Sequence, residues 1–273
     1  MLFKYLPIER LDVIEKLSIR FSPFKSLNDP FESFPLIQVP ENTDGTFDRM
    51  LADNLKGMDD IWENALEEER TPKNKSLFEN SKIDLASELR EKSSPHSLGL
   101  GLVEYLKHLC VLSLSRTNSN ILMWSHYASN HEGYIIGFND SHAFLNRKNP
   151  RNEIVKPKPV IYSTKRPIRN ENESMCLDQL FCKKSIEWAY EEEERIFLNH
   201  IDNLRSSGKD KYGMDIELTD IPIEAISSIY LGCNSTKDTE KRILNALKNY
   251  NVSIPVFKGS ISKSEYRIEF KRL

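Results

Sequence analysis

The sequence has no apolar run of the length that a membrane-spanning helix requires. It has only four cysteines, at positions 110, 176, 182 and 233, and none of them forms a Cys-x-x-Cys pair. This scatter excludes a zinc ribbon or a redox dithiol of that pattern. Because 38 Lys and Arg stand against 41 Asp and Glu, a protein whose whole surface binds polyanions is also excluded.

The remaining composition is that of an ordinary globular protein. Hydrophobic residues make up 39% of the 273 positions, which is enough for a core without disulfide or metal support. Near the start, Glu9 and Arg10 lie where a signal peptide would have its apolar segment. We therefore expect a soluble cytoplasmic protein that does not contact a membrane.

Strands and helices are predicted to be interspersed along the chain. Alternating or short apolar runs predict strands at 2–6, 19–24, 110–115, 134–138, 159–162, 195–199, 212–218, 226–231, 252–257 and 265–271. Helical spacing predicts helices within 8–17, 120–130, 175–186 and 238–250. Since no strand-helix unit repeats, we expect a single α+β domain over 1–273 with a mixed, mainly antiparallel sheet.

One segment rich in Asp, Glu, Lys and Leu interrupts this pattern. Residues 47–93 contain only one Gly and one Pro, which favours two or three helices. The sequence therefore predicts a helical insert at about 45–95, and this insert is a candidate surface for a partner protein.

Charge is unevenly distributed in the second half of the chain. Residues 147–169 carry eight Lys and Arg against Glu153 alone, and five glutamates follow within 187–194. One interpretation is that both segments are solvated and partly neutralise each other. The other is a phosphate-binding rim beside a catalytic carboxylate.

Hydroxyl and aromatic side chains concentrate on the middle strand and the following helix. Ser113 and Ser115 come at the end of the strand, and Trp124 and Tyr127 share one helical face. These rings could be core residues, but their polar ends need hydrogen-bond partners.

Two histidines follow in the same region. His126 and His131 are five residues apart, which does not match the i, i+4 spacing of a helical metal pair. We predict no metal site, and each histidine either has a structural hydrogen bond or contacts a substrate.

A Glu-x-Glu sequence precedes the strand at 195–199. In a strand, Glu191, Glu193 and Arg195 would point to one side. Two carboxylates on one side repel each other, which raises the pKa of at least one of the two glutamates unless a cation or a substrate lies between them. One glutamate could stabilise an electron-poor sugar carbon while the other polarises a nucleophile. The alternative is an exposed acidic entry to the strand with Arg195 as its counter-ion.

The corner Asn28-Asp29-Pro30-Phe31-Glu32 has the composition of a turn. A structural role is the first interpretation, and Asp29 or Glu32 as a ligand-binding carboxylate is the second.

These motifs together resemble an uncharacterised, mostly bacterial family, domain of unknown function 2971. The resemblance covers nearly the whole chain and is carried by residues 3–5, 27–32, 122–133, 188–195, 221–222 and 229–232. It implies no function, because the family is defined by sequence.

The order of the motifs is also similar to the three-part active-site pattern of ADP-ribosyltransferases. That resemblance implies a compact α+β split sheet that clamps NAD, with Glu193 or Glu191 as the catalytic carboxylate. Tyr5 or Lys4 would hold the adenosine side or the pyrophosphate. The residues that would contact NAD are Lys4, Tyr5, Ser113, Ser115, Trp124, His126 and Tyr127.

Our leading hypothesis is an enzyme that consumes NAD and modifies a protein or nucleic acid, as an intracellular toxin or phage-defence effector. The alternatives are a non-catalytic module that senses a nucleotide or a protein, and a metal-independent nucleic-acid-processing enzyme using the two histidines and the basic segment. The leading hypothesis requires Tyr5, Ser113, Tyr127 and Glu193 to line one cleft.

Overall fold

The computed structural model of the protein describes most of the chain. The described residues are 1–32, 52, 55, 56, 58, 59, 62, 63, 70–92, 109–148, 154–166, 181–199, 205–210, 213 and 215–273. The chain divides into two compact units. The first unit comprises 1–35, 106–167 and 176–273, and the second comprises 36–105 and 168–175. The single domain with an insert at 45–95 stays a prediction.

The first unit consists mostly of strands. They are β1 (Leu2–Leu6), β2 (Ser18–Pro23), β3 (Leu109–Ser115), β4 (Tyr134–Phe138), β5 (Arg147–Lys148), β6 (Ile154–Val155), β7 (Lys158–Pro159), β8 (Ile161–Ser163), β9 (Lys183–Ser185), β10 (Glu193–Asn199), β11 (Arg205–Lys209), β12 (Asp215–Asp220), β13 (Ile226–Leu231), β14 (Val256–Ile261) and β15 (Ile268–Arg272). The α-helices of the first unit whose bounds are described are α1 (Asp12–Lys16), α3 (Ile121–Tyr127) and α4 (Lys237–Asn249), and α2 (Pro72–Lys92) lies in the second unit. Short 3-10 helices occupy Ile8–Arg10, Phe24–Ser26, Ile186–Glu191 and Ile223–Ala225.

Eleven of the described strands form one mixed sheet. Its order is β11-β12-β2-β3-β1-β4-β13-β14-β15, and β10 pairs with both β3 and β7. Within this sheet β13 and β14 are parallel, and the other described pairs are antiparallel. The predicted α+β class with a mixed sheet is confirmed.

Strand β3 has different partners on its two edges. Strand β10 pairs with β3 along its whole length on one edge. On the other edge, β1 pairs at Ser115 and β2 pairs at Val111 and Cys110, so β1 and β2 separate along β3. The Lys4 amine donates to the Ser113 carbonyl between them, at 2.9 Å. This gap between two neighbouring strands positions the candidate site.

The central strands bury apolar side chains on both faces. One cluster includes Leu112, Phe138 and Ile229 from the sheet, covered by apolar residues of α1 and α4. Helix α4 begins after Thr236, whose hydroxyl accepts from the Thr239 amide, and its apolar stripe faces this cluster. A second cluster holds α3 against β1 and β4 through Trp124.

The structure differs from the predicted helix at 175–186. Phe181 is helical as predicted, but the prediction is wrong at Lys183–Ser185, which is strand β9 and pairs in parallel with β8. The extended backbone directs the Lys184 side chain toward three glutamates, and these ion pairs outweigh the helical spacing of the apolar residues. Residues 175–180 lie outside the described part.

In the second unit, the segment predicted to be helical contains α2, and the described residues 52, 55, 56, 58, 59, 62 and 63 are helical as well. Trp62 stacks on its Phe78 with ring centroids 5.0 Å apart, and Lys82 pairs with Asp59 at 2.7 Å. The rest of the predicted insert lies largely outside the described residues. Across the part of the chain that is described, no helix combines the length and apolarity needed to cross a membrane.

Candidate functional site

A cavity of about 230 Å³ lies beside β3, where β1 and β2 separate. Tyr5, Ser113, Tyr127 and Glu193, which the enzyme hypothesis required to lie together, all line it. Three further predicted residues, Lys4, Ser115 and Glu191, line it as well. Side chains from distant parts of the sequence thus converge on one space.

One wall of the cavity is a cluster of five charged side chains, which we call the ion cluster. No residue in it is more than 7% exposed, although each carries an ionisable group. Buried charges are tolerated only when they are paired and hydrogen-bonded. The members are Glu32, Lys184, Glu191, Glu193 and Arg195.

Arg195 is the most connected residue of the ion cluster. Its Nε donates to Glu193 Oε1 and its Nη2 to Glu193 Oε2, both at 2.8 Å. Nη2 also donates to Glu32, and Nη1 donates to the Phe181 carbonyl at 2.6 Å. Burial alone would raise the pKa of Glu193, but Arg195, assisted by Lys184, lowers that pKa to about 2. Glu193 is therefore a fixed, ionised carboxylate.

Lys184 neutralises the other side of the cluster. Its Nζ lies 2.6 Å from Glu191 Oε2, 3.3 Å from Glu32 Oε1 and 3.5 Å from Glu193 Oε2. Burial acts to lower the pKa of Lys184, but the three carboxylates raise it above its ordinary value. The amine therefore remains a cation between three anions.

Glu191 is held from its other side by a tyrosine. The Tyr127 hydroxyl donates to Glu191 Oε1 at 2.5 Å and accepts from Asn28 Nδ2 at 2.8 Å. Burial, followed by the charge of Glu191, raises the pKa of Tyr127 well above its usual range. Tyr127 therefore stays neutral and acts as a hydrogen-bond donor to the carboxylate.

The backbone around Glu191 is not the extended strand in which Glu191, Glu193 and Arg195 would point to one side. Glu191 ends a 3-10 helix, Glu192 adopts a left-handed conformation with φ of 44°, and β10 begins only at Glu193. This turn nevertheless brings the carboxylates of Glu191 and Glu193 to the same Lys184 amine. The predicted shared side is retained by a different local geometry.

Lys4 is the cation of the cavity that has no carboxylate partner among the described residues. Its amine is bound by the Ser113 carbonyl at 2.9 Å. Burial lowers the pKa of Lys4 to about 8, although the charge of Glu193 opposes this effect. Because no carboxylate neutralises it, Lys4 is the cation best placed to meet an anionic ligand.

Not every predicted contact residue has a free polar group. Ser115 donates to the Glu191 carbonyl at 2.7 Å, and Tyr5 donates to the Thr117 carbonyl at 3.0 Å. Trp124 is completely buried, its indole bonds the Asn118 carbonyl at 2.8 Å, and it does not line the cavity. His126, whose Nδ1 lies 3.0 Å from the Tyr190 hydroxyl, is also outside the cavity lining.

The basic segment does not form a rim in the part that is described. Strand β7 places Lys158 opposite Arg195 in backbone register, but none of the described residues of 147–169 lines the cavity. Arg147 lies over the Phe144 ring, 4.7 Å from its centroid. Among the described residues, the cations that line the cavity are Lys4 and the ion-cluster residues Lys184 and Arg195.

Sequence reasoning missed Lys184 and gave Glu32 and Asn28 only a secondary role. The signal for Glu32 was present in the corner motif, where a ligand-binding carboxylate was the second interpretation. For Lys184 no local signal was present, because its glutamate partners are contributed by other elements.

Residues 123–196 match a protein family. Its description is protein of unknown function (DUF2971). The predicted resemblance is confirmed over this segment, which contains Tyr127, Lys184, Glu191, Glu193 and Arg195. No curated protein and no solved structure matched the chain.

Proposed function

We propose that the protein is an NAD-consuming enzyme of the ADP-ribosyltransferase type. It would break the bond between nicotinamide and ribose and transfer ADP-ribose to a protein or nucleic acid. The observation that supports this is the convergence of Lys4, Ser113, Tyr127, Glu191 and Glu193 on one cavity. In a cell, such an activity suits an intracellular toxin or a phage-defence effector.

The size of the cavity supports a bound fragment of the dinucleotide. Pockets that enclose drug-sized ligands have volumes of roughly 300–1,000 Å³. At about 230 Å³, this cavity suits the nicotinamide riboside part, and the remainder of NAD would lie outside it.

The charges of the ion cluster suit the proposed chemistry. When the bond between C1′ and nicotinamide breaks, its electron pair leaves with nicotinamide and positive charge develops on the sugar. The ionised carboxylate of Glu193 lines the cavity and would stabilise this charge by its proximity to the sugar. Glu193 stays ionised because its pKa is about 2.

Glu191 is suited to a different role. Each of its carboxylate oxygens accepts one hydrogen bond, from Tyr127 and from Lys184, so lone pairs remain for a further contact. Glu191 would accept the proton of the acceptor nucleophile as that nucleophile bonds to C1′. Lys4 would pair with the pyrophosphate at the edge of the cavity.

The test is to incubate the purified full chain with NAD labelled in its adenine part, in cell extract and with RNA or DNA. We expect nicotinamide release and a labelled acceptor. Glu193→Gln and Glu191→Gln should each reduce the rate by about 10²-fold or more. Glu194→Gln is the matched control, because Glu194 pairs with Arg116 at 2.7 Å and does not line the cavity.

Two results would contradict the proposal. One is the absence of both nicotinamide release and acceptor labelling with the unmodified protein. The other is that Glu193→Gln and Glu191→Gln both keep the full effect of the unmodified protein in cells, which would favour a non-catalytic sensing module.

A further inference from the structure

Three aromatic side chains form a contiguous surface, which we call the aromatic rim. His126 is exposed, and Trp188 and Tyr190 are half-buried. The rings of His126 and Tyr190 lie 5.9 Å apart, with the imidazole Nδ1 3.0 Å from the tyrosine hydroxyl. The Trp188 and Tyr190 rings lie 6.1 Å apart.

The aromatic rim adjoins the cavity at three points. His126 contacts the ring of Tyr127, with centroids 6.2 Å apart, and Tyr127 lines the cavity. Tyr190 directly precedes Glu191 in the chain, and the Lys184 amine lies 4.7 Å from the Trp188 ring centroid. A ligand that extends out of the cavity past Glu191 therefore meets the aromatic rim.

The position of the rim is fixed by the backbone. Trp188 and Tyr190 lie on the 3-10 helix Ile186–Glu191, which ends at the left-handed Glu192. Asn120, which caps α3, also donates through Nδ2 to the Tyr190 carbonyl at 3.2 Å. The capping residue of α3 therefore ties the two elements that carry the rim.

Tyr5, one of the two residues predicted to hold the adenosine side or the pyrophosphate, is already engaged within the protein. Tyr5 is only 5% exposed, its hydroxyl donates to the Thr117 carbonyl, and its ring packs edge-on against Trp124 at 5.5 Å. Since the cavity suits only the nicotinamide riboside part, the adenine must be bound elsewhere.

We propose that the aromatic rim of His126, Trp188 and Tyr190 binds the adenine base of NAD by stacking. This inference rests on the proposed function, because it assigns the second half of the same dinucleotide. Every base has a π-face that stacks on aromatic side chains, and the neighbouring cavity leaves this half of the ligand uncovered. The rim therefore sets affinity for the adenosine part, and the ion cluster acts on the ribose of nicotinamide.

The experiment measures affinities of the full chain for NAD, AMP and nicotinamide mononucleotide by calorimetry. Trp188→Ala and His126→Ala should each weaken the affinity for NAD and for AMP by about tenfold. Their affinity for nicotinamide mononucleotide should stay within about twofold of the unmodified value, because that ligand lacks adenine. Tyr266→Ala is the control, since Tyr266 is fully exposed and does not line this cavity.

Fluorescence locates the base independently of any loss of affinity. Of the three tryptophans, Trp124 is completely buried and Trp62 belongs to the second unit. AMP should quench the emission of Trp188, and Trp188→Phe should abolish this quenching while retaining a stacking ring and most of the affinity. If Trp188→Ala unfolds, the affinities of His126→Ala and the AMP quenching in Trp188→Phe still test whether the rim binds adenine.

Several results would overturn the proposal. The first is that the unmodified protein binds neither AMP nor NAD. The second is that the rim variants keep their affinity for both. The third is that the rim variants lose as much affinity for nicotinamide mononucleotide as for NAD. Weaker labelling of a nucleic-acid acceptor with unchanged AMP affinity would assign the rim to the acceptor instead. Rim-dependent binding of AMP and NAD without nicotinamide release would retain the rim and contradict only the proposed function.

Discussion

Glu193 and Arg195, two residues apart on strand β10, are joined by two hydrogen bonds of 2.8 Å between carboxylate and guanidinium. The same guanidinium also reaches Glu32 at the end of the corner segment and the Phe181 carbonyl. One side chain therefore connects the strand, the corner and the segment before β9. The stability of the fold and the geometry of the cavity depend on the same contacts.

Replacing Arg195 should strongly destabilise the protein. Arg195→Met removes the guanidinium that pairs with Glu193 and with Glu32. Both carboxylates are buried, so the loss of this partner is not compensated by water. Breaking a buried ion pair by removing one partner costs about 3–5 kcal/mol. Urea denaturation should show a loss of that size in the free energy of unfolding.

The control for this variant is Arg267→Met. Arg267 pairs with Glu265 and Glu269, but its side chain is 57% exposed. Exposed ion pairs contribute about 0–1 kcal/mol, so this variant should remain close to the unmodified protein. Equal stabilities of the two variants would contradict the structural role of Arg195.

Acid should remove the stabilisation that Glu193 contributes. Because the pKa of Glu193 in the folded state is about 2, below its ordinary 4.5, the folded protein favours the ionised form. This contribution is fully present above the unfolded pKa and is lost as the pH falls from about 5 toward 2. The unfolding free energies of the unmodified protein and Glu193→Gln should therefore differ most near pH 7 and converge on acidification.

Glu32 has the opposite effect in the same experiment. Burial raises the pKa of Glu32 despite Arg195 and Lys184, so its protonation on acidification favours the folded state. Because the charge of Glu193 helps to raise the pKa of Glu32, the difference between the unmodified protein and Glu193→Gln includes the change at Glu32 as well as the loss of the Glu193 carboxylate. A difference between the two proteins that stays constant from pH 7 to about 3 would contradict the assigned shift of Glu193.

Removing the Tyr127 hydroxyl, which donates to a carboxylate, should cost more than removing the Tyr134 hydroxyl, which donates to a neutral carbonyl, although Tyr127 is half-buried and Tyr134 is fully buried. Tyr127 donates to the Glu191 carboxylate at 2.5 Å, and Tyr134 donates to the Arg10 carbonyl at 2.6 Å. Hydrogen bonds to charged groups contribute about 1.5–3 kcal/mol, against about 1 kcal/mol for neutral ones. Thermal and urea unfolding of Tyr127→Phe and Tyr134→Phe should rank in that order, and the reverse ranking would refute the charged contact.

The affinity for NAD should fall as the pH rises past the pKa of Lys4. That pKa is about 8, so the amine is mostly cationic at pH 7 and mostly neutral at pH 9. In the proposed complex the neutral amine no longer pairs with the pyrophosphate, and the Kd for NAD increases. In Lys4→Arg the guanidinium stays charged across this range, so the Kd should be nearly independent of pH. The same pH dependence in both proteins would remove Lys4 from the binding site.

Strands that consist of a short run of mostly apolar residues were predictable from the sequence. The expected strands at 2–6, 134–138 and 226–231 coincide with β1, β4 and β13. Strand β9 was not predictable, because its central residue Lys184 is stabilised by carboxylates that come from other elements. Local periodicity contains no information about such partners.

The candidate site was predictable to the level of its elements. Residues from the first strand, the middle strand, the helix and the Glu-x-Glu segment do line one cavity. The sequence could not distinguish the sides of α3: Met123 and Tyr127 line the cavity, whereas Trp124 lies in the core and His126 contacts Tyr190. Helical spacing groups neighbouring positions but does not identify what each of them faces.

The hydrogen bond between Glu32 and Arg195 closes a separation of 163 residues. During synthesis, a chain that ends just before β10 contains Glu32 and Lys184 but lacks both Glu193 and Arg195. Contacts of such separation also form slowly, because a long loop must close first. The cavity wall therefore stays incomplete until β10 has been made and has paired with β3, and any activity that depends on the wall begins only after that step.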